Sequence, residues 1–213
     1  VQYNEKMLAA KAKLLERFKK QEPRQADPNQ ERLPPGQHLT NGFPVLDLGV
    51  KPKFNPDSWR FKVEGLLEEP LDLGWDEFQA LPREKQTSDF HCVTTWSKYD
   101  VDWQGVKFID LAAMVRPTEE AHFVIAHSFD GYTTNVPLAD CLDEDVILAD
   151  RLYGEPLPIE HGGPMRLIVP ALYAWKSAKF LQQLVFVAED QPGFWEERGY
   201  HDRGDPWQEE RYG

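Results

Sequence analysis

The chain has 213 residues, 41% hydrophobic and 28% charged, enough to bury a full core but short for two domains. Its 36 acidic against 24 basic side chains leave a net charge of -12, a field that repels phosphate backbones and argues against nucleic acid as a partner. Two cysteines exclude a disulfide framework, no apolar run reaches the length of a membrane span, and no secretory pattern opens the chain, so a cytoplasmic monomer is expected.

Taken in chain order, residues 4–20 place Met7, Leu8, Leu14, Leu15 and Phe18 near helical spacing among lysines, which predicts an amphipathic helix laid on its own domain. Residues 21–36, QEPRQADPNQERLPPG, are polar and proline-rich and predict an extended connection. Residues 1–36 thus read as an arm, and residues 37–213 as one compact domain. Strands are predicted at Trp59–Val63, Ser88–Val93, Ala121–Ala126, Tyr132–Val136, Asp145–Leu148, Arg166–Val169 and Gln183–Val187. Brief helices are predicted at Trp75–Leu81, Ile109–Val115 and Pro137–Leu142, with Asp76, Asp110 and Asp140 in or near first turns, where a carboxylate offsets the helix dipole. This pattern is α+β with a mixed sheet. The aromatic and charged run from Gly193 to Gly213 predicts a tail wrapped over the body.

Two segments could carry chemistry. Cys92 lies in DFHCVTTWS among hydroxyls and apolar neighbours; such a cysteine is most often a buried inert side chain, since a nucleophile needs a paired base and a zinc site needs more sulfur or histidine at ligand spacing than this segment offers. The run HGGPMRLIVPALYAWKSAKFL, residues 161–181, groups His161, Arg166, Ser177 and Lys179 around a short apolar strand. Imidazole, guanidinium, hydroxyl and ammonium together make an anion cradle, and Gly162 and Gly163 allow close backbone approach; ordinary surface cations are the alternative. Cys141 lacks a cationic cluster and reads as structural, and Asp143, Glu144 and Asp145 read as a solvated turn.

Five segments in order, FHCVTTWS (90–97), WQGVKFIDL (103–111), DGYTTNVPL (130–138), GEPLPIEHGGPMRLIVP (154–170) and WKSAKFL (175–181), resemble the molybdopterin domain of the sulfite oxidase family, whose relatives include bacterial methionine sulfoxide reductase catalytic subunits. The resemblance implies that fold, a molybdenum–molybdopterin cofactor, and Cys92 as the protein's thiolate ligand, a soft donor suited to that metal. It implies cofactor contacts from Asn41, Pro44, Val45, Ser128, His161, Arg166, Ser177, Ala178 and Lys179. Tyr200, in ERGYHDRGDPW, matches the family's tyrosine near the metal. His161 resembles the oxidase branch, where the reductase branch has asparagine.

The family's F-x-R-N-H arginine, which helps bind anionic substrate, is matched here by Leu46 in PVLDL, and an aliphatic side chain cannot stabilise an incoming dianion. The expected function is two-electron oxygen-atom transfer on a small sulfite-like, sulfoxide or N-oxide substrate; a noncatalytic cofactor carrier on the same fold is the alternative. The sequence contains no C-x-x-C-H haem signature, so a separate electron carrier is the expected partner.

Overall fold

The computed structural model describes residues 32–213 together with four helical positions, Ala9, Lys13, Glu16 and Arg17. The predicted apolar stripe of the arm, Met7, Leu8, Leu14, Leu15 and Phe18, lies outside the described residues. Arg17 donates to the carbonyls of Thr118 at 2.7 Å and Ala121 at 3.0 Å.

The fold is α+β, with two sheets where the sequence predicted one. The first has strands β1 (His38–Leu39), β4 (Glu84–His91), β5 (Trp96–Lys107), β8 (Ile147–Leu152), β9 (Glu155–Pro156) and β10 (Arg166–Ile168). Its spine is β5, which pairs along one edge with β4 and shares the other between a short parallel contact to β1 and an antiparallel one to β8. The second sheet runs β3 (Leu71–Gly74), β2 (Arg60–Gly65), β11 (Leu181–Val187), β6 (Phe123–Ser128) and β7 (Thr133–Pro137), antiparallel except for β2 beside β11.

Alternation explains which faces turn inward. In β2, Phe61 and Val63 are buried while Arg60, Lys62 and Glu64 are exposed. Helix α1 (Trp75–Gln79) opens where Glu77 reaches back to accept the Gly74 N–H at 2.7 Å, one half of a capping box. Helix α2 (Phe108–Val115) is buried at every position but Met114, and α3 (Leu138–Cys141) is a single turn. Phe61, Val124, Leu184 and Phe186 of the second sheet join Val106, Leu148 and Leu167 of the first and Leu111 and Val115 of α2 in one hydrophobic core.

A second cluster, Phe90, Cys92, Trp96, Val101, Trp103, Ile147, Ala149, Leu152, Leu157 and Ile168, lies in the first sheet beneath the cysteine. The long strand β5 was not predicted, because SKYD and the Gly105 irregularity interrupt its apolar pattern; the alternation that does exist, Val101 in, Asp102 out, Trp103 in, is brief. Cys141 is buried, and burial pushes its thiol well above the usual range, with Asp140 and Asp143 adding to the effect. No helix among the described residues is long and apolar enough to cross a membrane.

Candidate active site

Cys92 follows the last residue of β4 and opens the tight loop into β5. Its N–H donates to the Trp96 carbonyl at 2.9 Å, and its carbonyl accepts the Thr95 N–H at 3.0 Å. Closing that loop puts Thr95 at φ 75°, a left-handed conformation that a β-branched residue rarely adopts. Beneath the loop, Gln37 Nε2 donates to the Cys92 carbonyl at 3.2 Å and Ser97 Oγ donates to Gln37 Oε1 at 3.4 Å. His91 Nδ1 lies 2.8 Å from the same Ser97 Oγ. Burial pulls the His91 pKa down to about 4, so its ring is neutral at ordinary pH. The sulfur itself lies 3.1 Å from Thr94 Oγ1.

A cavity of about 330 Å³ opens above this loop, lined by Cys92, Val93 and Thr94 on one element and by Pro44, Leu46, His161, Arg166, Ser177, Lys179 and Tyr200 from others. Arg166 enters from β10, hydrogen-bonded in the sheet beside Ala149 of β8. Its guanidinium is almost fully buried, donates to the carbonyls of His161 at 2.8 Å and Ser177 at 2.7 Å, and lies over the Phe90 and Trp103 rings at 5.3 and 5.6 Å. Its Nε has no acceptor among the described residues. Desolvation lowers its pKa to about 9, and among the described residues no carboxylate contributes to restoring it.

Lys179 adds a second cation. Its ammonium donates to the Glu160 carbonyl at 2.7 Å, and burial together with Arg166 pulls its pKa down to about 8. The chain can bring Lys179 this close only because position 162 is glycine: it has φ 103°, and a Cβ there would meet Lys179 Cγ at 2.8 Å. His161, half-buried and 4.4 Å from the Phe43 ring, is lowered by burial first and then by Arg166 and Lys179. A buried guanidinium with no ion pair among the described residues, beside a half-buried ammonium that has only the nearby Asp47 and Asp130 to offset it, is costly as it stands, and this donor set fits an incoming phosphate.

The expected site residues therefore divide. Pro44, Cys92, His161, Arg166, Ser177, Lys179 and Tyr200 meet on the cavity, whereas Asn41, Val45, Ser128 and Ala178 do not line it. Asn41 and Val45 are exposed on the rim-side loop, with the Asn41 carbonyl accepting from Lys98 at 3.1 Å. Ala178 is packed in the main core, and Ser128 is buried with an Oγ that has no partner among the described residues. Ser177 accepts the Val169 N–H on its Oγ at 2.9 Å, and its carbonyl receives Arg166.

Sequence reasoning missed several lining residues: Asp47, Asp130, Trp175 and Trp195. Trp175 lay inside a recognised motif, and Trp195 is five positions before Tyr200, so proximity to both was the signal available. Burial raises the carboxyl of Asp130, and Asp47 reinforces the shift. Burial likewise raises the phenol of Tyr200, with lesser effects from Tyr212 and Cys92.

An α+β body thus places a thiol at a hairpin tip and a cation cradle on one cavity, an arrangement able to receive a ligand that carries a phosphate. The chain matches the oxidoreductase molybdopterin binding domain over residues 48–195, and it belongs to that family. It is 47% identical over 182 residues to the uncharacterized oxidoreductase YuiH of Bacillus subtilis, covering 85% of this chain and 92% of that one. It is 29% identical over 166 residues to the protein-methionine-sulfoxide reductase catalytic subunit MsrP of Campylobacter jejuni, covering 70% of this chain and 56% of that protein. The sulfane dehydrogenase SoxCD of Paracoccus pantotrophus shares the fold, with a TM-score of 0.59 at 22% identity, over 65% of this chain and 40% of that one. The chain is thus an oxidoreductase of the sulfite-oxidase-like molybdopterin group.

Proposed function

We propose that the chain binds molybdenum–molybdopterin and reduces an uncharged sulfoxide with electrons from a separate carrier protein. The observation that carries this reading is the shared cavity, where the Cys92 thiol and the counter-ion-free Arg166 are held by one sheet. Bound there, the cofactor supplies two-electron oxygen-atom transfer. Among the described residues no cluster of three His, Cys, Asp or Glu side chains exists to hold a metal, so a metal at Cys92 takes its other donors from the cofactor.

Each residue has a definite task. Cys92 provides the protein's single sulfur ligand, fixed in place by the Gln37–Ser97–His91 chain under its loop. Arg166, Lys179 and His161 hold the cofactor's phosphate. Tyr200 is a neutral phenol at ordinary pH, a state that its burial favours further, and its hydroxyl donates a hydrogen bond to the substrate oxygen as that oxygen takes up protons.

The net change is R–S(=O)–R′ + 2 e⁻ + 2 H⁺ → R–S–R′ + H₂O: the S–O bond breaks, sulfur is reduced, and oxygen leaves as water. A sulfoxide fits better than sulfite because Leu46, which lines the cavity, stands where an anion-binding arginine would be needed. The Campylobacter relative is named for protein-methionine-sulfoxide reduction, which supports the same direction.

The test is anaerobic turnover of molybdenum-loaded protein, with reduced methyl viologen as donor for sulfoxides and N-oxides and ferricyanide as acceptor for sulfite. Sulfoxide-dependent viologen oxidation that disappears in Cys92→Ser, together with a changed Mo(V) paramagnetic spectrum, is the expected result. Turnover of sulfite alone, or full activity in Cys92→Ser, would overturn the reading.

A further inference from the structure

Beside the cation cradle, the cavity carries a second set of side chains that binding of the cofactor phosphate does not use. Trp175, Trp195 and Tyr200 all line it together with Cys92. Their rings form one continuous wall: Tyr200 stands 4.9 Å from Trp195 at 36° and 5.2 Å from Trp175 at 83°.

This wall is built to stay in place. The Trp175 indole N–H donates to Glu196 Oε1 at 2.9 Å, and its carbonyl accepts the Tyr132 hydroxyl at 2.5 Å. Gly204 faces the outer edge of the same indole so closely that a Cβ there would lie 2.6 Å from Trp175 Cζ2. Tyr200 is tied back by its N–H to the Trp195 carbonyl at 3.1 Å. Trp175 is thus fixed through its side chain, and Tyr200 and Trp195 are held together by a backbone bond and by ring contact, so the three rings present an apolar surface before any ligand arrives.

We propose that Trp175, Trp195 and Tyr200 form a subsite for the alkyl groups flanking the sulfur of an uncharged sulfoxide, and that this wall sets the preference for such a substrate over an inorganic oxyanion. The inference rests on the sulfoxide reductase reading given above. Its chemistry is that of sulfur beside π-systems: the S–CH₂ and S–CH₃ groups of substrate and product are polarizable and apolar, and thioether sulfur packs favourably at ring edges. The neighbours of Cys92 on its own loop, Val93 and Thr94, are uncharged, and Leu46 adds an aliphatic contact. The cavity's cations, Arg166 and Lys179, are directed to the carbonyls of His161, Ser177 and Glu160. An oxyanion at the aromatic wall would lose hydration and gain only the single neutral Tyr200 hydroxyl in place of a charged donor fork, whereas a dialkyl sulfoxide needs no more than that one donor.

Trp195→Leu and Trp195→Phe are the informative variants, because Trp195 is half-buried and its indole does not belong to the Glu196 network. Steady-state kinetics of the molybdenum-loaded holoenzyme would use reduced methyl viologen with tetrahydrothiophene 1-oxide and with dimethyl sulfoxide. In parallel, saturation-transfer NMR would follow tetrahydrothiophene on the cofactor-free chain, a readout that needs no turnover.

For the larger sulfoxide, Trp195→Leu is expected to raise KM about two- to tenfold, the size of a lost sulfur–aromatic contact. kcat should change much less, and Trp195→Phe should recover most of the loss. The NMR transfer should fall in Trp195→Leu alone. Wild-type turnover of sulfoxides with a KM indifferent to Trp195→Leu would overturn the subsite while leaving the reductase reading intact. Wild-type protein that turns over no sulfoxide would overturn the reductase reading, and with it the assignment of this wall to a sulfoxide.

Discussion

Replacing Lys176 by methionine should destabilise the protein severely, and the reason lies in a buried ion pair behind the aromatic wall. Lys176 and Glu196 have fully buried side chains, with Nζ 2.5 Å from Glu196 Oε1. The ammonium also donates to Asn135 O at 2.9 Å, to Asn135 Oδ1 at 2.8 Å and to the Asp202 carbonyl. Methionine fills nearly the same space but removes every one of these donors. Glu196 is then left in the interior with only the Trp175 indole and the Thr134 hydroxyl as donors. Stranding a buried charge in this way costs about 3–5 kcal/mol.

The double variant Lys176→Met/Glu196→Gln presents a neutral acceptor to the same indole and hydroxyl, so it should lose less than the two single variants combined, by about 2–3 kcal/mol. Urea unfolding of the cofactor-free protein at pH 7, followed by tryptophan fluorescence and far-ultraviolet circular dichroism, measures all four corners of this cycle. A cost below about 1 kcal/mol for Lys176→Met, or strictly additive single costs, would refute the reasoning. The network also holds the turn that carries Trp195 and Tyr200, so the destabilised variant should lose substrate affinity under conditions where it remains folded.

Three further outcomes follow from the site's geometry. Thr95→Gly should stabilise the chain by up to about 1 kcal/mol, because relief of a left-handed β-branched residue outweighs the added freedom of the unfolded glycine; a lower midpoint in urea would contradict this. His91 has a folded pKa of about 4 against 6.5 unfolded, so the unfolded chain takes up the proton first as pH falls. Its contribution is therefore whole above pH 6.5 and is lost between 6.5 and 4, up to about 3 kcal/mol; His91→Asn should flatten that part of the stability profile, and an unchanged slope would count against it. Lys179 is protonated below about pH 8 and neutral above, so binding of inorganic phosphate to the cofactor-free cavity should weaken as pH rises through that value. Calorimetric titration should show that Lys179→Met abolishes this step, and an identical pH profile in the variant would exclude Lys179 from the cradle.

Much of the site was legible in the chain because its parts fall in short, self-contained segments. Cys92 and its hydroxyl neighbours occupy one loop, and His161, Arg166, Ser177 and Lys179 occupy one run of 19 residues, so their grouping needed no long-range contact to be recognised. Ser128 and Ala178 were placed with them by motif, yet pleat and packing turn both into the interior, away from the cavity. Asp130 opens a recognised segment and Trp195 belongs to none, but that both reach the cavity from separate elements is something no local pattern announces.

The linear order of residues determined the α+β class, most of the short strands, the inert burial of Cys141 and the candidate thiol, since each depends on neighbours along the chain: alternation, breaker residues and motif spacing. Only the tertiary structure decided that the strands divide between two sheets, that β5 forms the spine of one of them, and that a buried Lys176–Glu196 pair braces an aromatic wall beside Cys92. Those features come from pairings between segments tens of residues apart. Their free energy depends on which groups lose water together, and that is settled when the chain closes on itself.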